Sequence, residues 1–82
     1  MSISLAIIVK NEEVLIEKCI SNVKKLVDEI VIVDTGSTDR TLSVLKQNSN
    51  LKIFEFEWTN DFSEARNYAI NQCTGDYILV LD

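Results

Sequence analysis

Residues 30–39 read Ile-Val-Ile-Val-Asp-Thr-Gly-Ser-Thr-Asp, an apolar run that passes directly into a polar turn. Consecutive β-branched residues without a polar position are typical of a strand that is buried on both faces of a parallel sheet. Residues 3–9 and 77–81 form similar short apolar runs. The three runs therefore predict buried strands, and the polar turn marks the carboxyl end of the second.

Helical patterns separate these runs. Apolar residues recur at three- and four-residue steps through 12–26, which predicts an amphipathic helix between the first two strands. Ser37 or Thr38 is predicted to cap a second helix. Leu42 and Leu45 are the residues that this helix would turn toward the core.

A third helix follows an acidic start. Asp61 and Glu64, three positions apart, resemble a capping box, in which side chains satisfy free backbone amides. The buried side of this helix is predicted to consist of Phe62, Ala65, Ala69 and Cys73. The helix would therefore pack one apolar side against the sheet.

Residues 51–58 carry a different strand pattern. Phe54, Phe56 and Trp58 alternate with two glutamates, so one face of this strand must meet water. Such alternation suits the edge of a sheet. The aromatic residues are accordingly predicted to face the core.

The elements run in the order βαβαβαβ, which favours an α/β fold with a parallel, Rossmann-like sheet and right-handed crossovers. Residues 1–82 contain no proline, only two glycines and no change of composition, so they predict one domain without a linker. No apolar run reaches 18 residues, and the start lacks the basic segment of a signal peptide. We therefore expect a cytoplasmic protein with no transmembrane segment.

Composition argues against several kinds of function. A net charge of −5 is unfavourable for binding nucleic acid, which requires clustered lysine and arginine. Because the chain has no histidine, acid-base and metal chemistry would fall to carboxylates. Cys19 and Cys73 lack the spacing and the further ligands of a zinc site, so reduced, packed thiols are predicted, with a disulfide as the alternative.

Polar residues follow every predicted strand. Ligands of open parallel sheets bind outside the carboxyl ends of the strands, and those ends lead into residues 10–13, 34–39, 58–61 and 82. The glycine-rich phosphate loops GxGxxG and GxxxxGK[ST] are absent. The predicted site is therefore this polar rim, but its sequence is unlike that of an NAD-dependent oxidoreductase or a P-loop NTPase.

Four segments along the rim carry a family resemblance. They are Ile-Val-Lys-Asn-Glu-Glu (8–13), Val-Asp-Thr-Gly-Ser-Thr-Asp (33–39), Trp-Thr-Asn-Asp-Phe-Ser-Glu-Ala-Arg-Asn (58–67) and Gly-Asp-Tyr-Ile-Leu-Val-Leu-Asp (75–82). In this order they resemble the start of family 2 glycosyltransferases, over essentially the whole chain. The third segment is most similar to bacterial members that carry TPR repeats and to members that glycosylate peptides. The resemblance implies half of a GT-A fold with strand order 3-2-1-4.

The resemblance implies a donor-binding role for Asp34. In the family this residue contacts the base, commonly uracil, of a nucleotide-diphospho sugar, and a carboxylate can accept the N–H of the ring. The family often has two successive acids here, whereas this chain has Asp34 followed by Thr35. The alternative is that Asp34 only caps the turn into the second helix.

Further residues are placed near the donor by the resemblance. The loop where the first strand meets the nucleotide consists of Val9, Lys10, Asn11 and Glu12, with backbone groups contributing as much as side chains. Arg66 would neutralise the pyrophosphate or pack on the base. The alternatives are that the acidic residues offset a helix dipole and that Arg66 forms a surface salt bridge.

The resemblance also implies a metal site. In the family, the strand that Asp82 ends leads into a D-x-D motif, whose acids hold Mg²⁺ or Mn²⁺ against the diphosphate. Asp82 is the first of these acids, and the second acid, the general base and the acceptor-binding part do not occur in the 82 residues. No catalytic residue is therefore assigned, and the fragment is expected to hold donor and metal weakly and not to turn over.

The predicted function is thus the donor-binding part of an enzyme that transfers a sugar, with inversion, from a UDP-sugar to an acceptor. A sugar nucleotidyltransferase is a second reading, although its glycine-rich phosphate loop is missing. An alternative of another class is a stand-alone, non-catalytic module that binds a nucleotide or associates with itself through an exposed edge strand at 54–58.

Overall fold

The computed structural model of the protein describes residues 1–48 and 50–81. Strands and helices alternate within these ranges as β1 (Ile3–Val9), α1 (Ile16–Val23), β2 (Glu29–Asp34), α2 (Thr41–Lys46), β3 (Leu51–Glu55), α3 (Phe62–Gln72) and β4 (Tyr77–Leu81). The strands form a parallel sheet in the order β3-β2-β1-β4, which confirms the α/β fold and the predicted strand order. Within the described ranges, no helix is both long enough and apolar enough to cross a membrane.

Helices cover both faces of the two central strands. Because alternate residues of a strand point to opposite faces, β1 and β2 contribute to two apolar clusters. One cluster joins them to α1 and α2 and includes Ile7, Ile32, Ile20 and Leu45. The other joins them to α3 and includes Val31, Val33, Ala65 and Ala69. The prediction that the first two apolar runs form buried strands is confirmed.

The first helix is shorter than the sequence predicts, since it spans Ile16–Val23 rather than 12–26. Before it, residues 13–15 form a turn. After it, residues 24–26 form a turn. The prediction was wrong because the apolar spacing continues through the turns at both ends, where the backbone has already left the helix.

The second helix begins later than predicted, at Thr41. The carboxylate of Asp39 accepts the Thr41 amide at 2.9 Å, so Asp39 satisfies the first turn. Ser37 and Thr38 do not cap this helix, because the loop after β1 engages both of them. Leu42 is half-buried, whereas the second predicted core residue of this helix is buried.

The third helix begins as predicted. Asp61 is its N-cap and accepts the Ser63 amide at 2.9 Å. Ala65 and Ala69 are fully buried against the sheet, but Phe62 is 42% exposed. The prediction that Phe62 lies in the core was wrong, because the first residue of α3 lies at the rim beyond the carboxyl ends of β1 and β2.

The third strand ends sooner than the alternating pattern suggests. It stops at Glu55, although the Phe56 amide still donates to the Asp34 carbonyl at 2.9 Å. Phe56 packs on Tyr68 of α3 with ring centroids 4.9 Å apart, so this aromatic residue faces the core as predicted. Trp58 is 36% exposed, and its assignment to the core was wrong because the chain has left the strand by then.

The fourth strand has one open face. Ile78 and Val80 pack on the cluster under α3, but Tyr77, Leu79 and Leu81 are 57%, 54% and 41% exposed. The prediction that both faces are buried was wrong for the described residues. β4 pairs only with β1 in this sheet, and α1 packs over β1 and β2 instead.

Both cysteines are free, as predicted, and each is partly buried. The Cys73 thiol donates to the Ala69 carbonyl at 3.4 Å. Burial raises the pKa of Cys73 above its ordinary value, which keeps the thiol protonated. Cys19 lies on α1 and Cys73 directly follows α3, so the two thiols lie on opposite faces of the sheet.

A polar cluster closes the amino end of the sheet. The Glu29 carboxylate accepts the Ser4 hydroxyl at 2.6 Å and pairs with the Lys52 ammonium. It also accepts the amide and hydroxyl of Thr74 at 2.8 and 3.0 Å. The Ser4 hydroxyl accepts the Gly75 amide at 2.8 Å. This amino-end cluster therefore ties β1, β2, β3 and the turn before β4 together.

Gly75→Ala tests how closely the turn before β4 approaches β1. A Cβ at Gly75 would lie 2.5 Å from the Ser4 hydroxyl oxygen and 2.9 Å from the Ser4 amide nitrogen. Because backbone is one of the obstacles, we expect the free energy of unfolding to fall by about 2 kcal/mol in urea denaturation. Gly36→Ala is the comparison, since its Cβ meets nothing within 4 Å and its cost comes only from a φ of +109°. Unchanged stability of Gly75→Ala would contradict the close approach.

Candidate functional site

The carboxyl ends of β1 and β2 lie side by side at the predicted rim. Val9 and Asp34 are register partners in the parallel pair. The Val9 carbonyl accepts both the amide and the hydroxyl of Thr35, at 3.0 and 3.2 Å. Thr35, the residue that replaces the second acid of the family pattern, is therefore used to join the two strand ends.

Asp34 is the buried carboxylate at this rim, with 3% of its surface exposed. Its Oδ1 atom accepts the amides of Gly36 and Ser37 at 2.9 and 2.8 Å, which closes the turn after β2. Its Oδ2 atom is buried and has no hydrogen-bond partner among residues 1–48 and 50–81. The turn-capping role thus accounts for one oxygen only, and a buried carboxylate oxygen without a donor is costly unless a ligand supplies one.

Asn11 holds the loop after β1 against the loop after β2. Its side-chain oxygen accepts the amides of Thr38 and Asp39 at 2.7 and 3.3 Å. Its own amide donates to the Ser37 hydroxyl at 2.9 Å. Asparagine tolerates the left-handed conformation found here, and its oxygen is occupied by the neighbouring loop. The structure therefore gives Asn11 a loop-joining role.

A second set of contacts joins the same loops one residue further on. The Glu12 amide donates to the Thr41 hydroxyl at 2.7 Å, and that hydroxyl donates to Asp39 at 2.5 Å. Hydrogen bonds from Thr41 hold the pKa of Asp39 below its usual range. The side chains of Lys10 and Glu12 are exposed. The two loops are therefore joined through the Thr41 hydroxyl, while the side chains of Lys10 and Glu12 stay accessible.

A cleft of about 360 Å³ opens beside these loops. We call it the aromatic cleft, and its lining consists of Ile8, Val9, Lys10, Glu12, Thr35, Trp58 and Phe62. Three of the predicted site residues, Val9, Lys10 and Glu12, line it directly. Asn11 and Asp34 do not, although each is the chain neighbour of a lining residue. The alternating strand pattern assigned Trp58 to the core and the helical spacing assigned Phe62 to it, so sequence reasoning missed both as part of the site.

Arg66 lies on the outer side of the aromatic residues. Its guanidinium carbon is 5.5 Å from the centroid of the Phe62 ring, a cation–π distance between residues four positions apart on α3. The Phe62 ring is edge-on to Trp58, with centroids 5.6 Å apart. Arg66 is therefore beside the aromatic cleft without lining it.

A second cleft lies on the α1 side of β1. It measures about 310 Å³ and is lined by Ile7, Ile8, Val9, Glu12, Leu15, Ile16, Cys19 and Leu81. Asp82, the predicted metal ligand, follows Leu81 and lies outside the described residues. Within 1–48 and 50–81, no three histidine, cysteine, aspartate or glutamate side chains come together as metal ligands. The described residues alone therefore do not form a ligand set for a divalent ion.

Comparison with known proteins gives concordant results. A profile of the family described as Glycosyl transferase family 2 matches residues 4–82. A TPR repeat-containing protein of Synechococcus elongatus is 46% identical over 80 residues, which are 98% of this chain and 20% of that protein. The SPbeta prophage-derived glycosyltransferase SunS of Bacillus subtilis is 39% identical over 82 residues, 99% of this chain and 19% of that protein.

A solved structure shares the fold. Glucosyl-3-phosphoglycerate synthase from Mycobacterium tuberculosis, crystallised with Mn²⁺, UDP and phosphoglyceric acid, superposes with a TM-score of 0.83 at 26% sequence identity. The match covers 99% of this chain and 32% of that one. The sheet and its flanking helices thus define a chain with half of the GT-A fold.

The chain belongs to glycosyl transferase family 2, since the family profile spans nearly all of it. The resemblance seen in the four rim segments is confirmed. The chain spans about a fifth of the length of the two curated relatives named above, at 20% and 19%.

Proposed function

We propose that residues 1–82 are the donor-binding part of a glycosyltransferase that takes a sugar from a UDP-sugar and transfers it, with inversion, to an acceptor. The observation that carries the proposal is the buried Oδ2 atom of Asp34, which has no partner among the described residues. It lies at the carboxyl ends of parallel strands, where ligands of open α/β sheets bind.

Asp34 selects the base through its free oxygen. The Oδ1 atom is held by two backbone amides, so the carboxylate cannot rotate without breaking the turn. The ring N–H of uracil, which lies between two carbonyl groups, is a donor of the kind that Oδ2 lacks. Cytosine has an acceptor nitrogen at the same place, so this arrangement favours uridine over cytidine nucleotides.

The charged rim groups serve the diphosphate. The Lys10 side chain is exposed and lines the aromatic cleft, and Arg66 lies beside it. A chain of net charge −5 needs such local cations to hold an anionic ligand. Backbone groups of Val9 to Glu12 complete the proposed donor site, and Asn11 contributes by holding its loop in place.

Asp82 stays the proposed ligand of Mg²⁺ or Mn²⁺, which would offset the charge of the diphosphate. No described residue is assigned as an acid, base or nucleophile in sugar transfer. We therefore propose that this 82-residue polypeptide binds donor nucleotide without turning it over. Measurable sugar transfer by the isolated polypeptide would overturn that part of the proposal.

Titration of the isotope-labelled chain with UDP tests the donor site. We expect amide shifts to cluster at residues 9–12 and 34–38, because both loops surround the proposed base position. CDP is the matched control ligand, since it has the same diphosphate and ribose but no N–H facing Asp34. We expect at least tenfold weaker binding of CDP. A folded chain without shifts at millimolar UDP would refute the donor role and leave the non-catalytic module as the alternative.

A further inference from the structure

Trp58 and Phe62 are aromatic residues that the fold leaves at the surface of the candidate site. They are 36% and 42% exposed, and both line the aromatic cleft next to Thr35 and Val9. The other aromatic residues on the α3 side of the sheet behave differently, because Phe54 and Phe56 pack against the sheet and helix. The Trp58 and Phe62 rings therefore lie exposed at one cleft and do not pack in the core.

The two rings are fixed in place by their own segment. The Trp58 indole N–H donates to the side chain of Asn60 at 3.1 Å, and Asn60 adopts a left-handed φ of 63°. Asp61 caps α3 directly before Phe62. The guanidinium of Arg66 packs on the other ring at 5.5 Å. Several contacts thus hold the exposed rings in a defined orientation, as expected for a surface that receives a flat ligand.

We propose that Trp58 and Phe62 form an aromatic wall against which the base of the donor nucleotide packs. The inference rests on the proposed function. In that function Asp34 binds only the edge of the base, and the two aromatic rings would contact its face. Both features lie at the ends of β1 and β2, because Thr35 lines the cleft and directly follows Asp34. A pyrimidine ring offers the flat π surface that aromatic side chains bind.

Other polar and apolar clefts fit a base less well. The lining of the cavity of about 240 Å³ at the amino end of the sheet includes Glu29, whose carboxylate is already bonded to Lys52 and Thr74. The cleft between α1 and β4 is lined by Leu5, Val23, Leu26, Val27, Leu79, Val80 and Leu81 and offers no charged side chain to a nucleotide. The aromatic cleft is the one of these that combines aromatic faces with a cation, and it lies at the carboxyl ends of β1 and β2.

Fluorescence gives a direct test, because Trp58 is the single tryptophan of the chain. We expect uridine and UDP to change the emission of Trp58, and inorganic pyrophosphate to leave it unchanged at equal concentration. If pyrophosphate alone reproduced the effect of UDP, the cleft would hold phosphate and the wall would be refuted.

Affinity measurements by amide shifts complete the test. Trp58→Ala and Phe62→Ala are each expected to weaken UDP binding about five- to thirtyfold, whereas Trp58→Phe keeps most of the affinity. Tyr77→Ala is the control, because Tyr77 is also an exposed aromatic residue but lies on β4, outside the aromatic cleft. Unaltered affinity in both alanine variants would overturn the wall while leaving the donor site standing. Absence of UDP binding by the unaltered chain would overturn the donor site itself, and the wall with it.

Discussion

Asp34→Asn is expected to weaken UDP binding by about ten- to a hundredfold while the chain remains folded. The asparagine oxygen can still accept the amides of Gly36 and Ser37, so the turn after β2 is preserved. At the position of Oδ2 the variant carries an N–H₂ donor, which faces the N–H of uracil instead of accepting it. The variant loses one charge-assisted hydrogen bond and places its N–H₂ group against the uracil N–H. Together these changes weaken the free energy of UDP binding by about 1.5–3 kcal/mol.

Stability separates this expectation from a purely structural role. Since Oδ2 has no partner among the described residues, its replacement breaks no contact that they make, and we expect the free energy of unfolding to stay within about 1 kcal/mol. Asp28→Asn is the matched control, because Asp28 also accepts a backbone amide, that of Ile3 at 2.7 Å, but lies at the opposite end of the sheet. Affinity measured by isothermal calorimetry should be unchanged in this control. Equal UDP affinity of Asp34→Asn and the unaltered chain would show that Asp34 only closes its turn.

The central strands and the location of the rim were predictable because they depend on burial and chain order. Residues 30–33 are apolar without interruption, which is typical of a strand covered on both faces. The polar turns that follow the apolar runs at 3–9 and 30–33 then necessarily share one edge of a parallel sheet. Patterns of this kind depend on whether a whole segment is buried or exposed, and hydrophobic periodicity in the sequence indicates this well.

Individual contacts across the rim were not predictable. Ser37 and Thr38 have the chemistry of helix caps. In the structure, however, the Ser37 hydroxyl accepts the amide of Asn11, and the Thr38 amide donates to the side chain of Asn11, which lies 26 and 27 positions earlier in the chain. Local helix-capping propensity does not take Asn11 into account, because the pairing of β1 with β2 is what brings Asn11 near. The same limit applies to the first helix, whose apolar spacing continues into the turns at residues 13–15 and 24–26.

The aromatic residues show why a period can mislead at the end of a strand. Phe54 and Phe56 follow the alternation and face α3, but the strand ends at Glu55 and the rule no longer applies to Trp58. Phe62 was assigned to the core from its spacing with Ala65, although the first residue of a helix can extend past the sheet. The misplaced rings are the ones that line the candidate site, which is consistent with function being built where local and global preferences diverge.

Glu29→Gln is expected to lower the free energy of unfolding by about 2 kcal/mol at pH 7. The carboxylate pairs with Lys52 and accepts hydrogen bonds from Ser4 and Thr74, and these donors hold the pKa of Glu29 down to about 2, from 4.5. Such a shift sets a ceiling of roughly 3 kcal/mol. Because the Lys52 side chain is 51% exposed, solvent screening leaves less than this ceiling.

The pH dependence distinguishes this charge from simple packing. A carboxylate whose folded pKa is depressed contributes its stability above the unfolded value and loses it as the pH falls through the folded value. In urea denaturation the unaltered chain should therefore lose stability between about pH 4.5 and 2, and Glu29→Gln should lack that component. Glu57→Gln, which changes an exposed glutamate, should leave the slope as it is. If the Glu29 and Glu57 variants behaved alike, the amino-end cluster would not depend on the Glu29 charge, and the turn before β4 would be held by the contacts of Ser4 with Gly75 and of Ser2 with Asp76.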